Sequence, residues 1–436
     1  MEIKYYKCGG ETFELNLKPL PFKCKRCKEK EALVEIPSQG IKVCPDCFNQ
    51  FFENRLKNTI EKYKMFRKAK KIGVFVSGGK DSAALLFGLK KIFPDLSLKA
   101  IYLNLGIKYY SELAEETVKT LCQDIDVPLY VYNLPQEEGY CIDEFVHTMF
   151  KNKICSVCGV IKRYLFSKIA KKLEIDVIAT GHHLDDTVST MLTLFFQGDF
   201  EGIVKLGPVL PPIYLGQATK VKPLYHTPEK EIFYYVALNK IPIERCGCPH
   251  GEITPSKKNK KILEIFEQEN RQFKYQLLSV FVKKLIPLLK THPDYRFSLP
   301  EVKNCIKCGE ITTSADEVCS RCKRVSLLEK IPDKTLEVTP EEFKKFIQTQ
   351  PRESWVVFDL REKEDFEKGA FEGALWIDPK IVDSSSRKLA KLFKAYRDKT
   401  LFFYCYTGRL SYLLTLKLRK IGIKAFNIGS PEKLIS

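Results

Sequence analysis

The sequence predicts an α/β protein organised on an open parallel sheet, and three observations predict it. Short apolar runs alternate with helical patterns through the middle of the chain, as buried parallel strands and their crossovers do. One run, Ile72 to Val76, feeds the Gly-rich turn SGGKDS and a helix expected from Asp81. A second alternation of strand and helix follows Lys330, a separate α/β unit of about a hundred residues.

The elements follow in order. Leu98 to Asn104 reads as the second strand, Ser111 to Ile125 as a helix and Pro128 to Leu134 as the third strand. Gly159 to Leu173 reads as the next helix, Asp176 to Thr180 as a strand running into GHHLDD, and Asp185 to Phe196 as a helix. Ligands of an open parallel sheet bind beyond the carboxyl ends of its strands, which puts SGGKDS and GHHLDD on one edge. Residues 201–228, with GPVLPPIYLG, read as a loop before a helix near Glu229. Ser256 to Leu285 is a basic helical stretch whose lysines either cover a solvated face or contact nucleic acid. Thr339 and Pro340 then N-cap and open a helix to Gln350; WVVFDL, GALWID and LFFYCY read as strands, and YLLTLKLRK as a helix.

At 436 residues the chain has room for roughly two to four domains. No apolar run approaches ~18 residues and MEIKYYKCGG has no apolar signal core, so the expectation is a soluble, cytoplasmic protein without a membrane partner. Lys+Arg 72 against Asp+Glu 54 gives a net charge of +18, which favours a polyanionic partner, nucleic acid ahead of membrane because no basic amphipathic anchor is evident. The Lys- and aromatic-rich composition, with 4 Met, suits a thermophile.

In a reducing compartment 16 cysteines point to metal or sulfur chemistry rather than disulfides. Cys24, Cys27, Cys44 and Cys47 are two CxxC pairs with sixteen residues between them; Cys305, Cys308, Cys319 and Cys322 repeat the scheme with ten. Each CxxC knuckle presents two thiolates to one ion, so each set fits a closed, structural zinc ribbon. Cys155 and Cys158 in CSVCGVIKRY, with Cys246 or Cys248 of CGCPH, form a group of three. Such a group suits a [4Fe–4S] cluster with one open iron, a further zinc site or a redox dithiol. Cys8, Cys122 and Cys141 read as core or surface thiols.

In SGGKDS, Gly78 and Gly79 let the backbone approach an anion, Ser77 and Ser82 add hydroxyls, and the helix N–H groups carry partial positive charge. The spacing is neither GxxxxGK[ST] nor GxGxxG. Here the chain resembles the PP-loop ATP pyrophosphatases, whose SGGxDS loop holds ATP for cleavage between the α and β phosphates. Over residues 1–325 the succession of ribbon, SGGKDS, CxxCGxxKRY, GHHLDD, late Cys-Pro and second ribbon resembles the tRNA 2-thiouridine synthetases.

That resemblance implies that Ser77, Gly78, Gly79, Lys80, Asp81 and Ser82 hold the ATP phosphates, that Leu103 and Asn104 lie near the adenine, and that Gly181 borders the nucleotide. It implies Cys155 and Cys158 as cluster ligands, with Cys248 ahead of Cys246 as the third because the family's cysteine precedes proline. It implies catalytic roles for Lys162, a cation that would stabilise the adenylate phosphate or the leaving pyrophosphate, and for Asp186, which would bind Mg²⁺. Read alone, Lys162 is also a solvated helix lysine, Asp186 a helix N-terminal carboxylate, and His182 and His183 carry no metal assignment.

The C-terminal unit resembles a single-domain rhodanese: Asp359 and Arg361 match its DxRE start, and CYTGRLS matches the loop around Cys405. A loop after a buried strand that aims N–H groups at the sulfur stabilises a persulfide, so Cys405 is the implied sulfur carrier. Ala370 stands where the family's GHIxGA has His, and Leu410 where CxxGxRS has Arg, with Arg409 one place early.

The expected organisation is an N-terminal zinc ribbon (1–60), a PP-loop parallel-sheet domain (61–255), a basic helical region (256–300), a second zinc ribbon (301–330) and a rhodanese-like α/β domain (331–436). The expected reaction adenylates the C2 oxygen of a uridine and replaces it with sulfur, on T-loop 5-methyluridine ahead of the wobble uridine. Cys405 persulfide would load the site in cis, at the ~mM effective concentration of a short tether. The implied cofactors are ATP, Mg²⁺, a [4Fe–4S] cluster and two Zn²⁺. The implied partners are tRNA and a sulfur donor, either a cysteine desulfurase or a thiocarboxylated ubiquitin-like protein, with homodimerisation through the ribbons. Two rivals stand beside this: a PP-loop ligase or amidotransferase that incorporates nitrogen, and a sulfur-relay scaffold that leaves RNA unmodified.

Overall fold

Ile72–Val76 is buried at every position and lies at the centre of a six-stranded sheet. This computed structural model describes all residues except 1, 7–11, 18, 37, 68, 215–216, 245–246, 252–254, 293–300, 332–334 and 431–436; at 2–6, 12–16, 255–258 and 261 it describes the backbone alone. Cys8 and Cys246 fall outside the described residues. On one side of the central strand stand Leu98–Asn104 and then Leu129–Asn133; on the other, Val177–Ala179, Thr219–Val221 and Val209–Leu210. The first five strands are parallel and Val209–Leu210 is antiparallel.

Stretch 201–228 is therefore not a plain loop. It supplies two strands, and Thr219–Val221 is placed by its ladder with Val177–Ala179, a long-range pairing that local Pro and Gly content conceals. The helix expected from Gly159 begins at Ile154, so Cys155 and Cys158 lie within its first turns rather than ahead of it.

Alternation along the strands sorts side chains between two cores, Val74 and Val76 to one face and Phe75 to the other. The first face carries Lys80–Ile92, Ser111–Asp124 and Glu229–Leu238, together with Pro45–Lys62, which starts directly after Cys44. Phe52 of that last helix stacks on Tyr235 with ring centroids 3.9 Å apart, tying the first cysteine ribbon to the sheet. The second face carries Ile154–Lys172.

The basic stretch breaks into Pro255–Glu269 and Phe273–Val280, followed by a π-helical turn Phe281–Leu285 and Ile286–Thr291. It packs through Leu263, Leu278 and Phe281 against Leu184–Phe196. The C-terminal unit is a four-stranded parallel sheet in the order Leu375–Trp376, Trp355–Asp359, Thr400–Tyr404, Ala425–Gly429. Its first helix, Pro340–Thr349, has the expected Thr339 cap, completed by Glu342 as a capping box. Among the described residues no helix is long and apolar enough to cross a membrane.

Candidate active site

The turn Ser77 to Ser82 leaves the carboxyl end of the central strand and closes on its own hydroxyls. Ser82 Oγ accepts the Ser77 N–H at 3.0 Å and donates to Gly79 O at 3.1 Å, while Ser77 Oγ lies 3.2 Å from Ser82 Oγ. Helix Lys80–Ile92 opens with no side-chain cap, so its first N–H groups remain available to an anion. The GHHLDD turn closes on this helix start: a Cβ on Gly181 would stand 2.9 Å from both the Asp81 carbonyl carbon and the Ser82 nitrogen. Leu103 and Asn104 end the neighbouring strand on the same edge, both buried; the Asn104 amide spans Glu115 at 2.9 Å and the Gly106 N–H at 3.0 Å.

Below the turn, four carboxylates meet three lysines and a histidine. Lys80 Nζ lies 3.0 Å from Asp81 and 2.7 Å from Glu229; Lys260 Nζ lies 2.6 Å from Asp186 and 3.2 Å from Glu229; Lys274 Nζ lies 2.5 Å from Asp185. Buried His183 stands between Asp186 at 3.3 Å, Asp185 at 3.5 Å and Asp81 at 3.8 Å. Burial alone would lower Lys80 and raise Asp186, but their partners prevail: Asp81 and Glu229 hold Lys80 above its ordinary value, and His183 and Lys260 hold Asp186 below. Burial likewise raises Glu229, yet Lys80 and Lys260 bring it down to about 2. Ligand atoms of Asp81, His183 and Glu229 lie within 4.8 Å of one another. The hard carboxylate oxygens of Asp81 and Glu229 in this group suit Mg²⁺ brought in on polyphosphate, while Asp186, the expected magnesium ligand, stands beside it on His183 and Lys260.

Cys155, Cys158 and Cys248 converge beside Lys162. The Cys155 thiol donates to His250 O at 3.1 Å. Burial pushes the Cys158 thiol up and that of Cys248 up to about 12, with the Lys162 cation opposing both. The Glu244 N–H donates to Gly78 O at 2.8 Å, so the segment leading to Cys248 is tied to the phosphate turn. A tetrahedral zinc holds its sulfurs ~3.8 Å apart. The Cys27–Cys44 and Cys308–Cys319 sulfurs meet that spacing at 3.9 and 3.8 Å. Cys155, Cys158 and Cys248 supply three thiolates, one short of a closed four-cysteine zinc site, and as a donor set they fit a cluster bound through three of its irons.

The two four-cysteine sets, Cys24, Cys27, Cys44, Cys47 and Cys305, Cys308, Cys319, Cys322, are each gathered around one point. N–H groups of Cys319 and Cys322 reach Cys305 and Cys319 sulfurs at 3.3 and 3.4 Å, the pattern of a metal knuckle. The second ribbon braces the helix carrying Cys155 and Cys158: the Arg321 guanidinium lies over Tyr164 and Tyr140, 5.2 Å from each ring, and pairs with Glu138.

Cys405 is buried at the end of Thr400–Tyr404, with Ser411 Oγ donating to its sulfur at 3.3 Å. Asp359 and Arg361 form a buried pair at 2.7 Å, and Arg361 also donates to Gly369 O at 2.6 Å, so the DxRE residues brace the segment bearing Ala370.

Several site residues escaped sequence reasoning: His183, Asp185, Glu229, Lys260 and Lys274. Glu229 had a signal, an acid at the first position of a helix after Thr-Pro. Lys260 and Lys274 had none, because a basic helix does not reveal which of its lysines turn inward.

A PP-loop domain model matches residues 48–244, and a rhodanese-like domain model matches 339–429. The chain is 35% identical to the tRNA-5-methyluridine(54) 2-sulfurtransferase of Pyrococcus horikoshii over 74% of this chain and 99% of that one. It is 32% identical to the Thermotoga maritima protein of the same name over 72% and 99%. In fold it is similar to the U34-tRNA thiolase NcsA from Methanococcus maripaludis, solved with its [4Fe-4S] cluster, at TM-score 0.59 and 23% identity over 70% of this chain and 96% of that one. The chain belongs to the PP-loop family of ATP-dependent tRNA sulfurtransferases, with a rhodanese-like domain at its C-terminal side.

Proposed function

We propose that this enzyme 2-thiolates 5-methyluridine in the tRNA T-loop, with Cys405 as an in-cis sulfur carrier. The observation that carries the chemistry is the junction of the Ser77–Ser82 turn with the Cys155, Cys158, Cys248 and Lys162 group, through the Glu244–Gly78 hydrogen bond. The choice of nucleoside rests on the names of the 35% and 32% identical relatives.

In the first step the uridine O2 attacks the α-phosphorus of ATP and pyrophosphate leaves. Ser77, Gly78, Gly79, Lys80, Asp81 and Ser82 would hold the phosphates, Leu103, Asn104 and Gly181 would frame the nucleoside, and Asp81 and Glu229, with Asp186 next to them across His183, would hold the magnesium of MgATP. Lys162 would offset negative charge on the phosphate in flight. In the second step a hydrosulfide equivalent attacks C2, a proton is lost, and AMP departs with the former O2. Held by Cys155, Cys158 and Cys248, a [4Fe–4S] cluster would supply an iron with an open position for sulfur. A persulfide on Cys405 holds its outer sulfur two electrons above sulfide, so a dithiol reductant completes the donor half. Two Zn²⁺ in the four-cysteine ribbons would have structural roles.

The test is anaerobic reconstitution with iron and sulfide, then MgATP, a sulfur donor, dithiothreitol and unmodified tRNA, with nucleosides read by mass spectrometry. A 2-thio-5-methyluridine product that needs ATP and Cys155 supports the proposal; 2-thiouridine at the wobble position transfers it to the other nucleoside. No thionucleoside in the presence of iron overturns it in favour of a ligase or relay. A Cys405→Ser variant with full activity on persulfide donors overturns the carrier role.

A further inference from the structure

The rhodanese-like domain meets the PP-loop domain through a buried polar connection. Asp143 is almost wholly buried and accepts from three sides: Tyr412 Oη donates to Oδ2 at 2.6 Å, the Lys108 N–H to Oδ2 at 3.0 Å, and His250 Nε2 lies 2.5 Å from Oδ1. Tyr412 belongs to the helix Arg409–Lys420 that begins at the Cys405 loop. His250 lies two residues after Cys248, and its backbone oxygen accepts the Cys155 thiol. Three buried side chains thus run from the sulfur-carrier loop to the loop of the cysteine trio. The His250 Nδ1 is buried with no hydrogen-bond partner among the described residues, so Asp143 fixes that ring. Burial and the Asp143 carboxylate both push the Tyr412 phenol up, which keeps it a neutral donor.

The second contact is closer to the sulfur. A Cβ on Gly408, whose φ is +78°, would stand 2.6 Å from Tyr109 Oη, so the PP-loop domain packs directly on the carrier loop. Tyr109 itself has φ +58° and edges onto Tyr412 with centroids 5.5 Å apart. Its neighbour Tyr110 packs against the same core as Cys158 and Cys248. The dipeptide Tyr109–Tyr110 therefore touches the carrier loop at Gly408 and shares one core with Cys158, Cys248 and Tyr412. Lys108, on the same turn, pairs with Glu337, which also accepts from Asn427 at 2.8 Å. Tyr412 and Leu416 complete the apolar core formed by Ile107, Tyr140 and Val146.

We infer that Tyr412, Asp143 and His250 form a latch holding the rhodanese-like domain in a delivery pose, with the Cys405 loop seated on the Tyr109–Tyr110 dipeptide, and that the latch must open for Cys405 to meet an external sulfur donor. This deepens the proposed function and rests on it only for what is delivered. Tyr412, Asp143 and His250 act as positioning residues. A buried hydrogen bond to a carboxylate is strong enough for its loss to shift the closed population by about tenfold or more.

Two readouts test this on the full chain. The first needs no activity: the alkylation rate of Cys405 by N-ethylmaleimide, followed by peptide mass spectrometry. Tyr412→Phe and Asp143→Asn weaken the latch from opposite domains, and each is expected to speed Cys405 alkylation by about tenfold or more, in line with one lost buried bond. A rate unchanged in Asp143→Asn, whose side chain lies in the other domain, overturns the latch. The second readout is single-turnover tRNA thiolation with dithiothreitol present. With ³⁴S-persulfide preloaded on Cys405, Tyr412→Phe is expected to be about tenfold slow, and with free sulfide it is expected to match the parent. Equal slowing with both donors overturns delivery as the latch's purpose. A parent enzyme that forms no thionucleoside with either donor instead refutes the proposed function, and the latch then stands or falls by the alkylation rate alone.

Discussion

Lys274 Nζ lies 2.5 Å from Asp185 Oδ1 with both side chains almost fully buried, and this pair fastens the helix Phe273–Val280 to the GHHLDD turn. A second acid, Glu267, meets the same lysine at 2.7 Å. Burial would raise Asp185, but His183 and Lys274 hold it well below the ordinary carboxylate range. A depressed folded value gives stability that is complete above the unfolded pKa of ~3.9 and is lost as pH falls through the folded one. Breaking the pair by Lys274→Met or Asp185→Asn is expected to cost about 3–5 kcal/mol at pH 7 in urea unfolding. The double variant Asp185→Leu with Lys274→Met is expected to recover much of it, because no charge is then left buried alone.

Gly181 tests the close approach of two turns. Gly181→Ala places a carbon 2.9 Å from backbone atoms of Asp81 and Ser82, so the helix start must shift. ATP affinity measured by calorimetry is expected to fall by about tenfold or more, with global stability changed by only ~1–3 kcal/mol, the usual cost of overpacking.

Lys222 gives a pH dependence of the same sign as Asp185, stability rising with pH, but in the alkaline range and from a destabilising charge. Burial lowers it from 10.5 to about 8, with Asp186 only partly opposing. Because the folded value lies below the unfolded one, the charged form costs stability at neutral pH, and this is relieved as pH rises from about 8 towards 10.5. Lys222→Met is expected to be more stable than the parent by on the order of 3 kcal/mol at pH 7, with the gap closing by about pH 10. Urea titrations across that range check it.

The three cysteine groups separate by metal analysis. Zinc is expected at two ions per chain, with Cys27→Ala removing one and Cys308→Ala the other, as the 3.9 and 3.8 Å sulfur spacings require. Cys158→Ala is expected to remove iron after reconstitution and leave zinc unchanged.

Much of the parallel sheet was legible because its strands are locally apolar from end to end: Ile72–Val76 and Leu98–Asn104 stand where the pattern puts them. Val209–Leu210 and Thr219–Val221 were not, since two- and three-residue strands exist only through their partners. The same distinction holds in the site. SGGKDS and the CxxC pairs announce themselves by fixed spacing, whereas Lys260 and Lys274 arrive from helices far along the chain and Tyr412 from another domain.

The sequence alone determined the α/β class, the phosphate turn, the two four-cysteine sets, the Cys155–Cys158 pair and the Cys405 loop, because each is a pattern of fixed local spacing, and it left the third cysteine of the pair's group open between Cys246 and Cys248. Only the tertiary structure decided that four carboxylates share three lysines beneath the phosphate turn and that Tyr412, Asp143 and His250 join the PP-loop and rhodanese-like domains. These are meetings between residues far apart in sequence. Long-range packing brings them together, and burial in a low-dielectric interior gives each contact its strength.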